Sequence, residues 1–326
     1  MNKKLEALSA IAGIGLFAFA AEKIGWSAVF QTLLQARFAV AVVFVLSLSR
    51  LLLQTCAWSI ALRADGVRCS TGELMLIRLA AQGLGYLSVL GPLASEPMKI
   101  SLLRRSGGSA TTATLVDTGV YWFGSGMVGI AGCVAAVTLM SHGQLSMASL
   151  IVIIPLLIGV LFVLAHPKPR IAPIADRAGA RYPRFLAKAA RIEVAIRKFE
   201  AEFPSGVRRM FALDLACQVL LAGEVVAILA ALHIPIHATT VLAIEGSSRA
   251  IKIAAGWMPA RIGADESGVA AAFFALGLSP ASGLTLALAR RSRDLCGALI
   301  GLSWLALSAS AWKSSASTEE ATCKLS

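Results

Sequence analysis

Nine apolar segments, at residues 5–21, 38–62, 74–92, 109–140, 147–165, 207–231, 239–258, 266–278 and 280–309, dominate this 326-residue sequence. Several reach or approach the roughly 20 residues that a helix needs to cross a bilayer. Inside hydrocarbon every backbone N–H and C=O has to be satisfied within the protein, which leaves the helix as the form such segments take. The chain is 57% hydrophobic and 15% charged, with mean hydropathy +0.75. A soluble domain is about 45–50% apolar and about 25% charged. The expected fold class is all-α: a polytopic helical membrane protein with one integral membrane domain over 1–312 and a short polar tail over 313–326.

The formal charge is +12. In a membrane protein a basic excess marks the cytoplasmic side, so nucleic acid is not an expected partner. Between about 166 and 209 stand eleven Lys and Arg against four Asp and Glu, and 11 − 4 = +7 of that charge lies there. Residues 166–206 are therefore expected to form a cytoplasmic insert. Within it Phe185, Ala189, Ile192, Ile196, Phe199 and Phe203 recur at steps of four and three. Such an apolar stripe on a basic helix suits an anionic membrane surface, with a partner-binding seam as the rival. The nearly chargeless connections 141–146 and 233–237 are expected to face outward. Lys3 and Lys4 put the N-terminus inside, and the tail returns there as well. The N-terminal stretch resembles a signal peptide, but an uncleaved first span is the favoured reading.

With these anchors the spans do not add up unless two segments enter and leave on one side. The first is 74–105, whose second arm from Pro97 is too short to span at 1.5 Å per residue. The second, 239–278, turns at Trp257-Met-Pro-Ala-Arg-Ile-Gly-Ala-Asp-Glu-Ser-Gly268, where Pro259 and Gly263 break the helix. Pro92 is the corresponding break in the first. Two re-entrant helical hairpins entering from opposite faces are expected, and their sequences resemble each other. Glutamate to serine is 109 − 96 = 13 residues in the first and 279 − 266 = 13 in the second. Inverted repeats with broken helices meeting near the midplane are a transporter architecture.

Charge at membrane depth costs roughly 2.5–3.5 kcal/mol per residue on insertion scales, so it marks pairing, a cavity or a task. Glu245, Arg249 and Lys252 share one helical face, where Glu245 is placed to pair with Arg249. Arg290 is four residues from Asp294 and is expected to pair with it, which would leave Arg291 and Arg293 to Asp265, Glu266, Glu96 or an anionic ligand. Asp117 lies in the corresponding span of the first half, with Lys99 on its short arm. A phospholipid phosphate would satisfy such a cluster bidentately. The alternative is an internal salt-bridge network that pins the hairpins. Arg50, Arg63, Asp214 and Glu224 are expected to snorkel, pair structurally or line the cavity wall.

Other patterns carry less. Gly124-Ser-Gly126-Met-Val-Gly129 fits a dinucleotide fingerprint but has no preceding strand, so it is expected to be a helix-packing surface, as are Gly297 and Gly301. The six cysteines show no C-x-x-C spacing and suit packing. No metal site and no cofactor are expected.

Met258-Pro-Ala-Arg-Ile-Gly-Ala-Asp-Glu-Ser-Gly268, Ala-Leu-Gly-Leu-Ser279 and the arginine in the next helix resemble the second-half signature of the lysylphosphatidylglycerol synthase transmembrane, or flippase-like, superfamily. Gly91-Pro92 to Glu96, Leu102-Leu103-Arg104-Arg105 and the turn to Ser109 are similar to its first-half signature. The sequence departs from that pattern at Lys99, where arginine is usual, and at Val116-Asp117-Thr118, where Glu-Arg is usual. The likeness spans roughly 38–309. It implies an integral protein of a bacterial-type inner membrane that moves or handles lipids, alone or beside a lipid-biosynthetic enzyme. The resemblance does not extend to an aminoacyl-transferase domain. Site residues on this reading are Arg249, Lys252, Arg290, Arg291, Arg293, Glu96, Lys99, Asp117, Asp265, Glu266 and Asp294, around an anionic headgroup. A membrane enzyme acting on a headgroup, or a structural membrane partner, remain the alternatives.

Overall fold

The computed structural model describes residues 22–87, 92–105, 111–140, 198–256 and 261–323, with Val194 and Met258 as isolated positions. The expected spans 5–21 and 147–165, nearly all of the basic insert, the 141–146 connection, Trp257, Pro259 and the last three residues lie outside them. The described residues are helical, with no strand among them. In chain order the helices are α1 Trp26–Gln35, α2 Arg37–Ala64, α3 Thr71–Leu87, α4 Pro92–Arg105, α5 Thr111–Met140, α6 Pro204–Ala231, α7 Ala238–Ala254, α8 Ala264–Ala275 and α9 Pro280–Cys323. Among the described residues three helices, α2, α5 and α6, are long and apolar enough to cross a membrane.

Two apolar cores sit at opposite ends of the bundle. One gathers Trp58 and Leu62 near the end of α2, Met210 near the start of α6, and Ala113 and Val116 at the start of α5. The other gathers Ala39 and Val43 near the start of α2, Ile228 and Leu229 at the end of α6, and Leu286 near the start of α9. The far part of α9 returns to the first core through Trp304 and Leu305. So α2, α6 and α9 each run from one core to the other. Cation-free contacts fix the sidedness of the ends: Asp65 Oδ2, just past α2, accepts the Ala113 N–H at the start of α5 (3.0 Å), and Gln35 meets His233 at 3.5 Å at the opposite end.

The remaining helices behave differently. Leu74 and Ile77, at the start of α3, and Leu102 and Leu103, at the end of α4, lie in the same core. Val241, at the start of α7, and Phe273, at the end of α8, lie together in the other. The start of α3 thus shares a core with the end of α4, and the start of α7 with the end of α8. The second helix of each pair is short: α4 has 14 residues and α8 has 12. At 1.5 Å per residue these cover about 21 and 18 Å, well short of a hydrocarbon core about 30 Å thick.

Outward-facing positions on α2 (Phe38, Val42, Val45, Leu48, Leu52) and α6 (Phe211, Leu215, Val219) are apolar and exposed. An apolar stripe turned away from the core belongs against lipid, not water. Phe199, at the described end of the basic insert, is buried against the Trp58 core, so that end of the stripe packs on protein.

Candidate functional site

The polar interior has two parts. The first is a cavity of about 220 Å³ walled by α2, α3, α4 and α5 and capped by Arg261 from the α7–α8 connection. Its lining includes Arg50, Arg78, Glu96, Lys99, Asp117 and Arg261. Arg78 Nη2 donates to Asp117 Oδ2 at 2.6 Å and to the Gln54 carbonyl at 3.0 Å. Lys99 Nζ donates to Glu96 Oε1 at 3.0 Å, and Thr118 Oγ1 donates to Glu96 Oε2 at 2.6 Å. Trp58 lies beneath both cations, 5.5 Å from the Arg78 guanidinium carbon and 5.8 Å from Lys99 Nζ. The Nε atoms of Arg50 and Arg78 are buried without a hydrogen-bond partner. Both atoms are shielded behind the cavity wall, and leaving such donors unpaired costs about 1–3 kcal/mol each.

The cap is built by the second hairpin. Arg261 adopts φ 48°, a left-handed conformation uncommon outside glycine. Its carbonyl accepts from Arg291 Nη2 at 3.1 Å, and its own Nε donates to Asp265 Oδ2 at 3.1 Å. Arg291 also donates to Tyr86 Oη at 2.7 Å and pairs with Glu266. Glu266 Oε2 in turn accepts the Gly263 N–H at 2.9 Å, so the acid in the first turn caps its own helix. Gly263 itself has φ 77°, which only glycine adopts freely. The helix starts at Ala264 directly after Gly263, with Asp265 and Glu266 in its first turn. Pro92 opens α4, while Pro259 is outside the described residues.

The second polar part is a buried ion-pair network between α6, α7 and α9. Glu224 is 1% exposed and accepts from Arg290 Nε at 3.0 Å and Arg293 Nη1 at 2.5 Å. Arg290 also pairs with Glu245, which meets Arg249 at 3.4 Å as the four-residue spacing predicts. Asp294 Oδ1 accepts from Arg293 Nε at 2.9 Å. The expected Arg290–Asp294 pair is not formed, and Arg293 is not left uncompensated. Glu224 and Glu245 reach Arg290 across helix interfaces, where a buried two-carboxylate clamp outweighs the same-helix contact. Lys252 has no ion pair among the described residues.

Of the sequence-derived site residues, Glu96, Lys99 and Asp117 line the cavity, and Arg291, Asp265 and Glu266 brace its cap. Arg249, Arg290, Arg293 and Asp294 belong to the network and do not line that cavity. Arg78 and Arg261 are not in that set, and Glu224 is among the residues expected to snorkel, pair structurally or line the cavity wall. Each stands as an ionisable residue in or beside an apolar segment, the signal that intramembrane charge provides.

Close glycine contacts hold the two parts together. A Cβ on Gly246 would lie 2.2 Å from the Gly132 carbonyl carbon, and one on Gly301 would lie 2.3 Å from the Leu79 carbonyl carbon. The expected packing role holds for Gly124, which faces Asp214, Gly129, which faces Arg249, and Gly297 and Gly301, which face Leu79, but not for Gly126, which a Cβ would leave with nothing within 4 Å.

Residues 7–301 match the family described as Lysylphosphatidylglycerol synthase TM region, and the chain belongs to that family. No curated protein and no solved structure matches it. It is a membrane-embedded helical protein.

Proposed function

From that membership we propose that the protein is a lipid translocase or lipid-transport accessory, which holds an anionic lipid headgroup in the cavity beneath Arg261. The observation that carries this reading is the cavity itself. Four cations (Arg50, Arg78, Lys99, Arg261) line it with two carboxylates (Glu96, Asp117), an excess of positive charge at its wall. A phosphate offers several strong acceptors to such a site, and arginine recognises it in a fixed fork. Exposed apolar faces on α2 and α6 leave a lipid's acyl chains in the bilayer while its headgroup enters the protein.

The two short helix pairs serve as re-entrant hairpins of an inverted repeat on this reading. Helices α2 and α6 have 28 residues each, and α3 and α7 have 17 each. Their starts differ by 204 − 37 = 167 and 238 − 71 = 167. That offset relates Arg78 to Glu245 and Leu79 to Gly246. Arg78 pairs with Asp117 on the long helix after the first hairpin, and Glu245 pairs with Arg290 on the long helix after the second. The Gly246–Gly132 and Leu79–Gly301 contacts correspond in the same way. A repeat of this kind supports alternating access to a site between its halves. Residues 166–206 are the cytoplasmic insert, both termini are cytoplasmic and the membrane is a bacterial-type inner membrane. A lipid-biosynthetic enzyme would supply the cargo.

Liposome reconstitution tests the reading. Full-length protein is incorporated into vesicles containing headgroup-labelled phosphatidylglycerol, and the label accessible in the outer leaflet is followed for wild type and Lys99→Ala. Faster exchange than in empty vesicles, slowed in the variant, is expected. Exchange equal to that of empty vesicles sinks the translocase reading for that lipid, and chemical conversion of the label would favour a membrane enzyme.

A further inference from the structure

Asp214 stands apart from the other buried acids. Asp117, Glu224, Glu245 and Glu266 each hold a guanidinium, whereas Asp214 has no ion pair among the described residues. It is 5% exposed in the middle of α6, and its donors are the two long contacts from Gln218 Nε2, at 3.4 and 3.5 Å. The α5 backbone presses on it, since a Cβ on Gly124 would lie 1.9 Å from Asp214 Oδ2. An ionised carboxylate so placed has little solvent and no cation in ion-pair contact, and such groups neutralise by taking up a proton.

A route for that proton is present. Asp214 borders a space of about 10 Å³ that it shares with Gln54, Arg78, Asp117, Tyr121 and Cys217. This is about one water in size. Gln54, Arg78, Asp117 and Tyr121 also wall the larger cavity, so the two spaces adjoin. On its other side Gln218 Oε1 accepts from Arg249 Nη2 at 2.6 Å, and Arg249 pairs with Glu245. The charged groups around Asp214 are therefore Asp117 from α5 and Arg78 from α3, which border the same space, and Arg249 from α7, which reaches it through Gln218. The neighbouring Cys217 thiol donates to the Arg50 carbonyl.

We propose that Asp214 is a proton-binding site, reached from the cavity, and that Gln218 links its protonation state to the Arg249–Glu245 pair. The proton moves from water in the adjoining space onto a carboxylate oxygen of Asp214. When it leaves, the new negative charge draws on Arg249 through the Gln218 amide and weakens the hold of Arg249 on Glu245, which also carries Arg290. A transport role for this link rests on the lipid-handling reading above; the proton site does not.

Infrared difference spectra of the full-length protein in lipid nanodiscs, recorded while pH is raised, read the site directly. Wild type should lose the carbonyl band of a protonated, dehydrated carboxylic acid, and D214N should lack that band. The same band in both proteins overturns the assignment. D214N mimics the neutral acid and should keep the wild-type thermal midpoint; a clear drop would show an ionised Asp214 in the fold and also overturn it. Gln218→Leu and Arg249→Met remove groups that favour the charged form, so the band should vanish at higher pH in both. An unmoved midpoint in both variants refutes the link. None of these readouts depends on lipid movement, so failure of the vesicle assay leaves them independent.

Discussion

Gly132 of α5 and Gly246 of α7 touch backbone to backbone, so closely that a Cβ on Gly132 would lie 2.2 Å from the Leu242 carbonyl oxygen. Glycine is needed here because no flexible side chain can give way. Small residues let helix backbones approach in membranes, where packing rather than hydrophobic burial holds helices together. Gly246→Val should therefore push α7 off α5. The destabilisation should be at least the roughly 1–3 kcal/mol typical of overpacking. Loss of the monodisperse peak after mild heating in detergent checks it, with Gly126→Ala, where a Cβ meets nothing within 4 Å, as the tolerated control.

Glu224 is the hub of the buried network, since Arg290 and Arg293 both donate to it. Glu224→Gln keeps the shape but removes the charge, leaving two buried guanidiniums to share Glu245 and Asp294. Breaking a buried pair in this way costs about 3–5 kcal/mol. A lowered thermal midpoint is expected, and Glu245→Gln should cost less because Arg290 would keep Glu224. Equal midpoints for wild type and Glu224→Gln would contradict this account.

Arg78 and Asp117 are both nearly fully buried and 2.6 Å apart. Either single change, Arg78→Met or Asp117→Leu, strands a charge and should destabilise strongly. The double change removes both charges, and replacing a buried pair by apolar groups is often neutral or stabilising. A double-mutant cycle should thus show partial or full recovery of the thermal midpoint. Lipid exchange in vesicles should not recover, because the cavity loses its Arg78 guanidinium in either case. Recovery of both together would reduce the pair to a structural role.

What the residues disclose on their own depends on the range of the interaction. The helix ends, the short arms, the break at Gly263 and the Glu245–Arg249 pair are local, set by spacing, glycine and helix geometry within a few positions. Arg290–Glu224 and Arg78–Asp117 join positions 66 and 39 residues apart. The spacing rule that suggests an Arg290–Asp294 pair describes one helix in isolation. It carries no information about which carboxylate a neighbouring helix brings closer, so the division into a lined cavity and a neutralised network emerges only when the helices pack.

Arg291 offers the sharpest test of how the second hairpin closes the cavity. One guanidinium ties three elements: α9, which carries it; Tyr86 of α3; and the hairpin connection, through the Arg261 carbonyl and Glu266. Lysine cannot reproduce this, because its single ammonium lacks the planar fork that spans separated acceptors. Arg291→Lys should keep the charge yet loosen the cap, and Arg291→Ala should free it further and leave Glu266 buried without its cation. In a background whose own cysteines are replaced, a cysteine at Ala264 should react with a water-soluble maleimide slowly in the wild-type context. Its rate should rise in the order Arg291→Lys, then Arg291→Ala. A position that reacts at the same fast rate in all three proteins would show an ordinary exposed loop there, with no cap for Arg291 to hold.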